Sequence, residues 1–198
     1  MSLKFNYNSN TYIYIPVLRN VSIDIATQIN YSHESDADFR REVYSRLDAF
    51  PRTAHYITYS EVLNLENCDG TETFFSVVRH PMDRCVSLYN FIRSQGWASD
   101  TNFNTYWTDV INNQNHDASV SIGARTSTLQ RDIVNTNGTI YKFETDLPQI
   151  TSDFNLTEIV EETEESNVVV DSDKEAVRSL IESHFDADYT TFGYNKGE

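Results

Sequence analysis

An abrupt change of pattern at residues 74–91 constrains the fold of this chain more than any other stretch. Residues 74–78 form a short apolar run, as expected for a strand that is buried on both faces of a parallel sheet. Arg79 follows directly, and Pro81 has the fixed φ angle that suits the first turn of a helix. From Cys85 onwards, apolar residues recur at helical spacing. The stretch therefore predicts a strand, a charged turn and a helix.

The polar residues of this stretch have the chemistry of a phosphate site. Arg79 follows the predicted strand, and open α/β sheets bind their ligands at the carboxyl ends of their strands. Arg84 and Ser87 lie about one turn apart in the predicted helix. A guanidinium fork and a hydroxyl near a helix start suit a dianionic phosphate. The alternative is an ordinary strand–helix unit whose arginines only face solvent.

The segment Arg79-His-Pro-Met-Asp-Arg84-Cys-Val-Ser87-Leu-Tyr89 resembles a known motif. It looks like the 3′-phosphate-binding motif of the sulfotransferases that use 3′-phosphoadenosine 5′-phosphosulfate (PAPS), in particular their carbohydrate-type branch. The resemblance implies that Arg79 and Ser87, with Arg84, bind the 3′-phosphate of the nucleotide. It also implies sulfuryl transfer from PAPS to a hydroxyl acceptor, for which the branch favours a carbohydrate. Such a reaction needs no metal, and we expect none.

A second strand–turn–helix pattern precedes this motif. Residues 11–16 read as the first strand, and Ser22 is placed to cap the helix that follows. The turn between them resembles the family's loop for the 5′-phosphosulfate, but Val17 stands where the family has a lysine. Arg19, two positions along, is the candidate for the missing catalytic charge, and Asn20 and Ser22 are the candidate cofactor-binding residues of this loop. A degenerate loop that only packs remains the alternative.

A catalytic base is expected in the strand-like run at residues 54–59. Several members of the family place a base a little over twenty residues before the 3′-phosphate arginine, and His55 fits that placement. A histidine, whose unperturbed pKa is about 6.5, can take a proton from a hydroxyl as its oxygen attacks sulfur. Glu61 is the reserve base. The alternative is a histidine that only satisfies a hydrogen bond at a strand end.

Further helical and strand patterns alternate along the chain. They predict helices at residues 32–50, 103–111 and 174–185, and a strand at residues 139–143. Gln130, just before a short apolar run, resembles a family residue near the adenosine of the cofactor. Residues 186–194 look like the family's C-terminal signature, in which an acidic and aromatic turn precedes Phe, a small residue and Tyr.

The order of these elements indicates the fold class. Strands alternate with helices, so we expect a three-layer α/β/α fold with a mainly parallel central sheet. The resemblance implies the P-loop-kinase-like core of the sulfotransferases. We expect one domain at residues 11–198, preceded by an N-terminal tail at residues 1–10.

The amino-acid composition excludes some classes of binding partner and cellular location. The formal net charge of −15 at pH 7 argues against nucleic acid and acidic membranes as partners. The two cysteines fit neither a disulfide framework nor a metal motif, which predicts a reducing, cytoplasmic location. No apolar run approaches the roughly 20 residues that span a bilayer, so we expect no membrane anchor.

Two other functions remain open at this stage. The first is a non-catalytic protein that keeps the nucleotide site at Arg79 and Ser87 but lost catalysis together with the loop lysine. The second is a phosphoryl-transfer enzyme of similar topology, which would depend on magnesium and a glycine-rich loop. No such loop occurs in the sequence, which weakens the second reading.

Overall fold

The computed structural model describes residues 2–17, 22–48, 58–94, 96, 101–113, 127–159 and 169–197. The chain divides into two compact units. Met1–Val78 and Gln130–Glu161 form the first, which we call the sheet unit. Arg79–Leu129 and Glu162–Glu198 form the second, which we call the helical unit. The division between Val78 and Arg79 falls within the stretch that the sequence analysis singled out.

The sheet unit contains a four-stranded mixed sheet. Its strands are β1 (Leu3–Tyr7), β2 (Asn10–Tyr14), β3 (Thr73–Val78) and β4 (Thr139–Lys142), and they lie in this order across the sheet. Strands β1 and β2 are antiparallel, whereas β2–β3 and β3–β4 are parallel. Ile13 lies opposite Phe74, and Ser76 lies opposite Ile140. The predicted α/β class and the mostly parallel sheet are therefore confirmed.

Strand β1 corrects the expectation of an N-terminal tail at residues 1–10. Leu3 and Phe5 are only 1% exposed and belong to the core. Asn8 and Ser9 join β1 to β2 with φ angles of 48° and 64°. Positive φ at both central residues is typical of a type I′ hairpin turn, whose twist matches that of the flanking strands. The first residues of the chain are therefore an edge strand of the sheet.

Nine helices lie within the described ranges. They are α1 (Ser22–Ser32), α2 (Ala37–Asp48), α3 (Tyr59–Val62), α4 (Pro81–Ser94), α5 (Phe103–Asn113), α6 (Gln130–Ile133), α7 (Leu147–Asp153), α8 (Asp171–His184) and α9 (Asp186–Phe192). The predicted helices in residues 32–50, 103–111 and 174–185 are confirmed as α2, α5 and α8.

One buried cluster of the sheet unit lies on the face of the sheet to which Phe75 points. Phe75 and Val77 of β3 share a buried cluster with Ile25 and Ile29 of α1. The ring of Phe75 stacks on Phe154, with centroids 4.5 Å apart. Residues two apart on a strand share a face, which is why Phe75 and Val77 enter the same cluster.

Helix α4 forms the centre of the helical unit. Its buried residues occupy every side of the helix, as expected for a helix enclosed by others. Trp107 of α5 is fully buried, and its Nε1 donates a hydrogen bond to the Cys85 carbonyl at 3.3 Å. The Trp107 ring also meets the edge of Phe185, at a centroid distance of 6.2 Å. Trp107 therefore links α5 to α4 through a hydrogen bond, and it links α5 to Phe185, which joins α8 to α9, through aromatic packing.

Candidate functional site

The predicted strand, turn and helix around Arg79 are present. Residues 74–78 of β3 are all buried, Arg79 is half-buried, and Pro81 is the first residue of α4. Proline is favoured at this first position because its missing N–H would have no partner inside the helix. The polar residues predicted to bind phosphate therefore lie in or just before the first two turns of a 14-residue helix.

The turn itself is held by His80, which the sequence analysis did not assign. The His80 side chain is buried, and its Nε2 lies 3.1 Å from the backbone oxygen of Asn195. A carbonyl oxygen only accepts, so His80 donates this hydrogen bond. The ring also packs edge-to-face against Tyr189 and Tyr194, at centroid distances of 5.3 and 5.4 Å. On the other nitrogen, Nδ1 lies 3.9 Å from a carboxylate oxygen of Asp83.

Arg84 is a buried charge inside the helical unit. It is 1% exposed, and its Nη1 donates to the Thr128 carbonyl at 3.2 Å. The guanidinium carbon lies 5.9 Å from the ring centroid of Phe185. Burial lowers the pKa of Arg84 below its ordinary value, and the charge of the buried Asp188 opposes that shift. The guanidinium nevertheless stays charged, since arginine does not lose its proton in proteins.

Two hydrogen-bond donors of the Arg84 side chain lack a partner among the described residues. Its Nε and Nη2 atoms are buried and have no hydrogen-bond partner among the residues that the structure describes. These two N–H groups lie along one edge of the planar guanidinium. Such an edge binds a carboxylate or a phosphate through two parallel hydrogen bonds.

Ser87 lies on the same side of α4 as Arg84. The two residues are three positions apart, which places them next to each other on a helix surface. Both side chains are buried. At a rise of 1.5 Å per residue, the Cα atom of Ser87 lies about 9 Å along the helix axis from that of Pro81. A phosphate that contacts both Ser87 and Arg79 must therefore lie along the first two turns.

The sheet unit contains Val17, Ser22, Glu61 and Gln130, whereas the residues predicted to bind the 3′-phosphate belong to the helical unit. Val17, in the position of the family's lysine, follows β2 and is 0% exposed. Ser22 is the first residue of α1. Gln130 is the first residue of α6, and its side chain is buried.

The remaining predicted catalytic and loop residues, Arg19, Asn20 and His55, lie outside the described residues. The reserve base, Glu61, lies in α3. Its Oε2 accepts a hydrogen bond from the Thr58 backbone N–H at 2.6 Å, and its own N–H donates to Thr58 Oγ1 at 3.3 Å. This reciprocal pair is a capping box, so Glu61 stabilises the start of α3.

A second buried charge, Glu72, lies in the sheet unit. Its Oε1 accepts hydrogen bonds from Lys4 Nζ at 2.7 Å and from the Asp69 N–H at 3.2 Å. Its Oε2 accepts from the Gly70 N–H at 2.9 Å and from the Cys68 thiol at 3.5 Å. Burial favours the neutral acid, but the bonds from Lys4 and the backbone outweigh it and lower the pKa of Glu72. This cluster ties β1 to the loop before β3.

Within the described ranges, no three His, Cys, Asp or Glu side chains are arranged to hold a metal ion. The helices described above include none that is both long enough and apolar enough to cross a bilayer. The chain matches no family model, no curated protein and no solved structure.

Proposed function

We propose that the protein transfers a sulfuryl group from PAPS to a hydroxyl acceptor and that α4 binds the 3′-phosphate of the nucleotide. The observation that carries this proposal is the Nε–Nη2 edge of Arg84. Both donors are buried, and neither has a hydrogen-bond partner in the described part of the chain. Buried donors are rarely left unmatched in native proteins, and a phosphate oxygen pair fits this edge.

The surroundings of Arg84 support the same assignment. Ser87 lies on the same side of α4, and Arg79 immediately precedes the helix. The N-terminal end of a helix carries a partial positive charge, which favours an anion. The parallel pairing of β2, β3 and β4 is compatible with a three-layer, P-loop-kinase-like sulfotransferase core, which is part of this proposal.

In the proposed reaction, the acceptor oxygen attacks the sulfur of PAPS in line with the bond to the 5′-phosphate. The new S–O bond forms as that bond breaks, and adenosine 3′,5′-bisphosphate leaves. His55 takes the proton of the acceptor hydroxyl, and Arg19 neutralises the charge that develops on the leaving phosphate. Asn20, Ser22 and Gln130 complete the cofactor contacts.

The acceptor and the location belong to the same proposal. The acceptor is a carbohydrate hydroxyl, as in the branch that the motif at Arg79 resembles. The location is cytoplasmic, and the free thiols of Cys68 and Cys85 support it. Thiols persist in the reducing environment of the cytosol.

A second function is favoured by Val17. Its side chain is fully buried and apolar, in the position where the family has a cationic lysine. A protein with this substitution can keep the 3′-phosphate contacts of α4 and lack the charge that catalysis requires at the 5′ side. In that case the protein binds the nucleotide without transferring the sulfuryl group.

Calorimetric titration with adenosine 3′,5′-bisphosphate and with PAPS, without magnesium, tests the binding step. We expect micromolar affinity for both and much weaker binding of ATP, which has no 3′-phosphate. Arg84→Lys keeps a positive charge but removes the two-donor edge, so it should weaken nucleotide binding. Arg41→Lys, at an exposed arginine of α2, is the matched control. Absence of binding to both nucleotides would refute the proposal and its non-catalytic alternative.

Transfer of labelled sulfate from PAPS to a panel of sugars separates the two functions. Turnover supports the sulfotransferase, and His55→Ala should reduce it by about 100-fold without weakening nucleotide binding. Nucleotide binding without any turnover supports the non-catalytic protein.

A further inference from the structure

We propose that His80 is a positioning residue and that residues 189–195 hold the Arg79 turn through it. Tyr189, Tyr194 and Asn195 contact the His80 ring, and we call these three residues the C-terminal clamp. The inference rests on the proposed function, because Arg79 is there assigned to the 3′-phosphate. All of these residues belong to the helical unit.

The clamp restrains the His80 ring in two ways. The hydrogen bond from Nε2 to the Asn195 oxygen fixes one edge of the ring. Tyr189 and Tyr194 meet the ring at interplanar angles of 84° and 87°, a favourable edge-to-face geometry for aromatic pairs. With its ring restrained in this way, His80 has little rotational freedom.

The restraint on the ring extends to the backbone of the turn. The carbonyl oxygen of His80 accepts a hydrogen bond from the Arg84 N–H at 2.9 Å, which is the first bond of α4. Arg79 precedes His80, so its side chain extends from the same short segment of backbone. A fixed His80 therefore fixes the point from which the Arg79 guanidinium reaches toward a phosphate.

Gly193 makes the clamp possible. It has a φ angle of 64° in the left-handed region and ends α9. The Tyr194 N–H then donates to the Tyr189 carbonyl at 3.0 Å, which closes the reversal of the chain. This reversal brings Tyr194 onto the ring that Tyr189 already contacts. Gly193, in the Phe-Gly-Tyr sequence, therefore allows the chain reversal that places Tyr194 against the His80 ring.

The chain beyond the clamp is tied back to the helical unit. Lys196 forms an ion pair with Asp186 at the start of α9. The Gly197 N–H donates to a carboxylate oxygen of Glu182 in α8 at 2.8 Å. Asn195 is therefore held on both sides, by Tyr194 and by the anchored residues that follow it.

Substitutions at His80 and Tyr194 test the clamp. His80→Phe keeps a ring between the two tyrosines but removes the donor to Asn195. Tyr194→Ala removes one wall of the clamp, and Tyr194→Phe keeps it. Tyr194 is half-buried, so its loss should leave the protein folded. Tyr31→Ala is the control, because Tyr31 is 85% exposed on α1 of the sheet unit.

The first measurement is the affinity for adenosine 3′,5′-bisphosphate by calorimetry. His80→Phe and Tyr194→Ala should each weaken binding by about 10-fold, the order expected for the loss of one hydrogen bond or aromatic contact. Tyr194→Phe and Tyr31→Ala should bind as the wild type does. If the wild type binds the nucleotide and Tyr194→Ala binds it equally well, the inference is overturned.

The second measurement needs no nucleotide. Hydrogen exchange at the Arg84 amide, followed by NMR, reports the hydrogen bond to the His80 carbonyl. We expect exchange at this amide to be about 10-fold faster in Tyr194→Ala, with the amides of α5 unchanged. Unchanged exchange at Arg84 overturns the inference whatever the affinities are. If the wild type binds no nucleotide, the proposed function fails, and faster exchange at Arg84 still supports the clamp.

Discussion

The two units each bury a charged side chain, and they satisfy it very differently. In the sheet unit, both carboxylate oxygens of Glu72 accept hydrogen bonds, and the positive charge of Lys4 lies 2.7 Å away. In the helical unit, the Arg84 side chain donates one hydrogen bond within the described residues, to the Thr128 carbonyl, and the charge of Asp188 favours its charged form. Its Nε and Nη2 atoms have no partner among the described residues.

This difference separates a structural charge from a candidate binding residue. A buried polar group whose bonds are all made stabilises one conformation of its surroundings. A buried group with unused donors is costly, and such groups are kept in native proteins mainly where a ligand or a reaction requires them. The comparison indicates that Glu72 stabilises the fold, and it supports the proposal that Arg84 binds a ligand at the start of α4.

The largest effect is expected for Arg84→Ala. The substitution removes a fully buried side chain, its hydrogen bond to Thr128 and its attraction to the charge of Asp188, which should lower the free energy of unfolding by about 2–5 kcal/mol. Urea denaturation with a tryptophan signal measures it, because Trp107 lies in the core of the helical unit. Arg84→Lys should cost less, since it keeps the charge. If Arg84→Ala lowers the free energy of unfolding by less than about 1 kcal/mol, the two buried charges do not differ in the way described above.

Val17→Lys should have the next largest effect. The side chain is fully buried, so an ammonium group there lacks water and a prepared partner, and stability should fall by more than about 3 kcal/mol. Val17→Ala is the control, with an expected loss of about 1–3 kcal/mol from reduced apolar burial. Thermal unfolding measures both. A Val17→Lys variant that is as stable as Val17→Ala and transfers sulfate would show that this position accepts a catalytic cation.

Arg79→Ala tests whether the residues at the start of α4 bind the nucleotide. Each hydrogen bond to a charged group contributes about 1.5–3 kcal/mol, so adenosine 3′,5′-bisphosphate should bind at least about 10-fold more weakly. Because Arg79 is half-buried, the free energy of unfolding is measured alongside to separate lost binding from lost folding. Arg41→Ala on α2 is the control arginine. Retained affinity in Arg79→Ala would move the phosphate away from this turn.

Glu72→Gln should have the smallest effect, about 1–2 kcal/mol at neutral pH. The folded-state pKa of Glu72 is lowered, so its contribution to stability is present above the ordinary glutamate pKa of about 4.3 and is lost as pH falls through the folded value. On acidification, the free energy of unfolding should therefore fall more in the wild type than in Glu72→Gln, which has no carboxylate at this position to protonate. Unfolding curves measured from neutral pH down to acid check this, and parallel pH dependences would contradict it.

Much of the fold could be predicted because its signals are local. The apolar run before Arg79 and the proline after it define β3 and the start of α4 without any knowledge of other elements. Strand β1 is the exception: the sequence predicts a tail at residues 1–10, although Leu3, Phe5 and Tyr7 alternate with polar residues. The Asn8–Ser9 pair was the turn signal that could have found it, since asparagine tolerates positive φ.

The candidate site was only partly predictable. The spacing of Arg79, Arg84 and Ser87 is written in the sequence, and helical periodicity places the last two on one side of α4. Whether a guanidinium on that side is exposed or buried depends on elements that pack from elsewhere in the chain. Periodicity alone therefore says nothing of the unused donors of Arg84.

The sequence by itself determined the order of strands and helices and the polar residues at the start of α4, because these follow from short-range apolar patterns and from proline. Only the tertiary structure decided that Arg84 is buried under the electrostatic influence of Asp188 and that His80 binds the backbone of Asn195, 115 residues later. Every residue carries a backbone carbonyl oxygen, so the sequence does not mark the one that will accept this hydrogen bond. Its pairing with a side chain so distant in the chain is set by the packing of whole helices, which a local pattern does not contain.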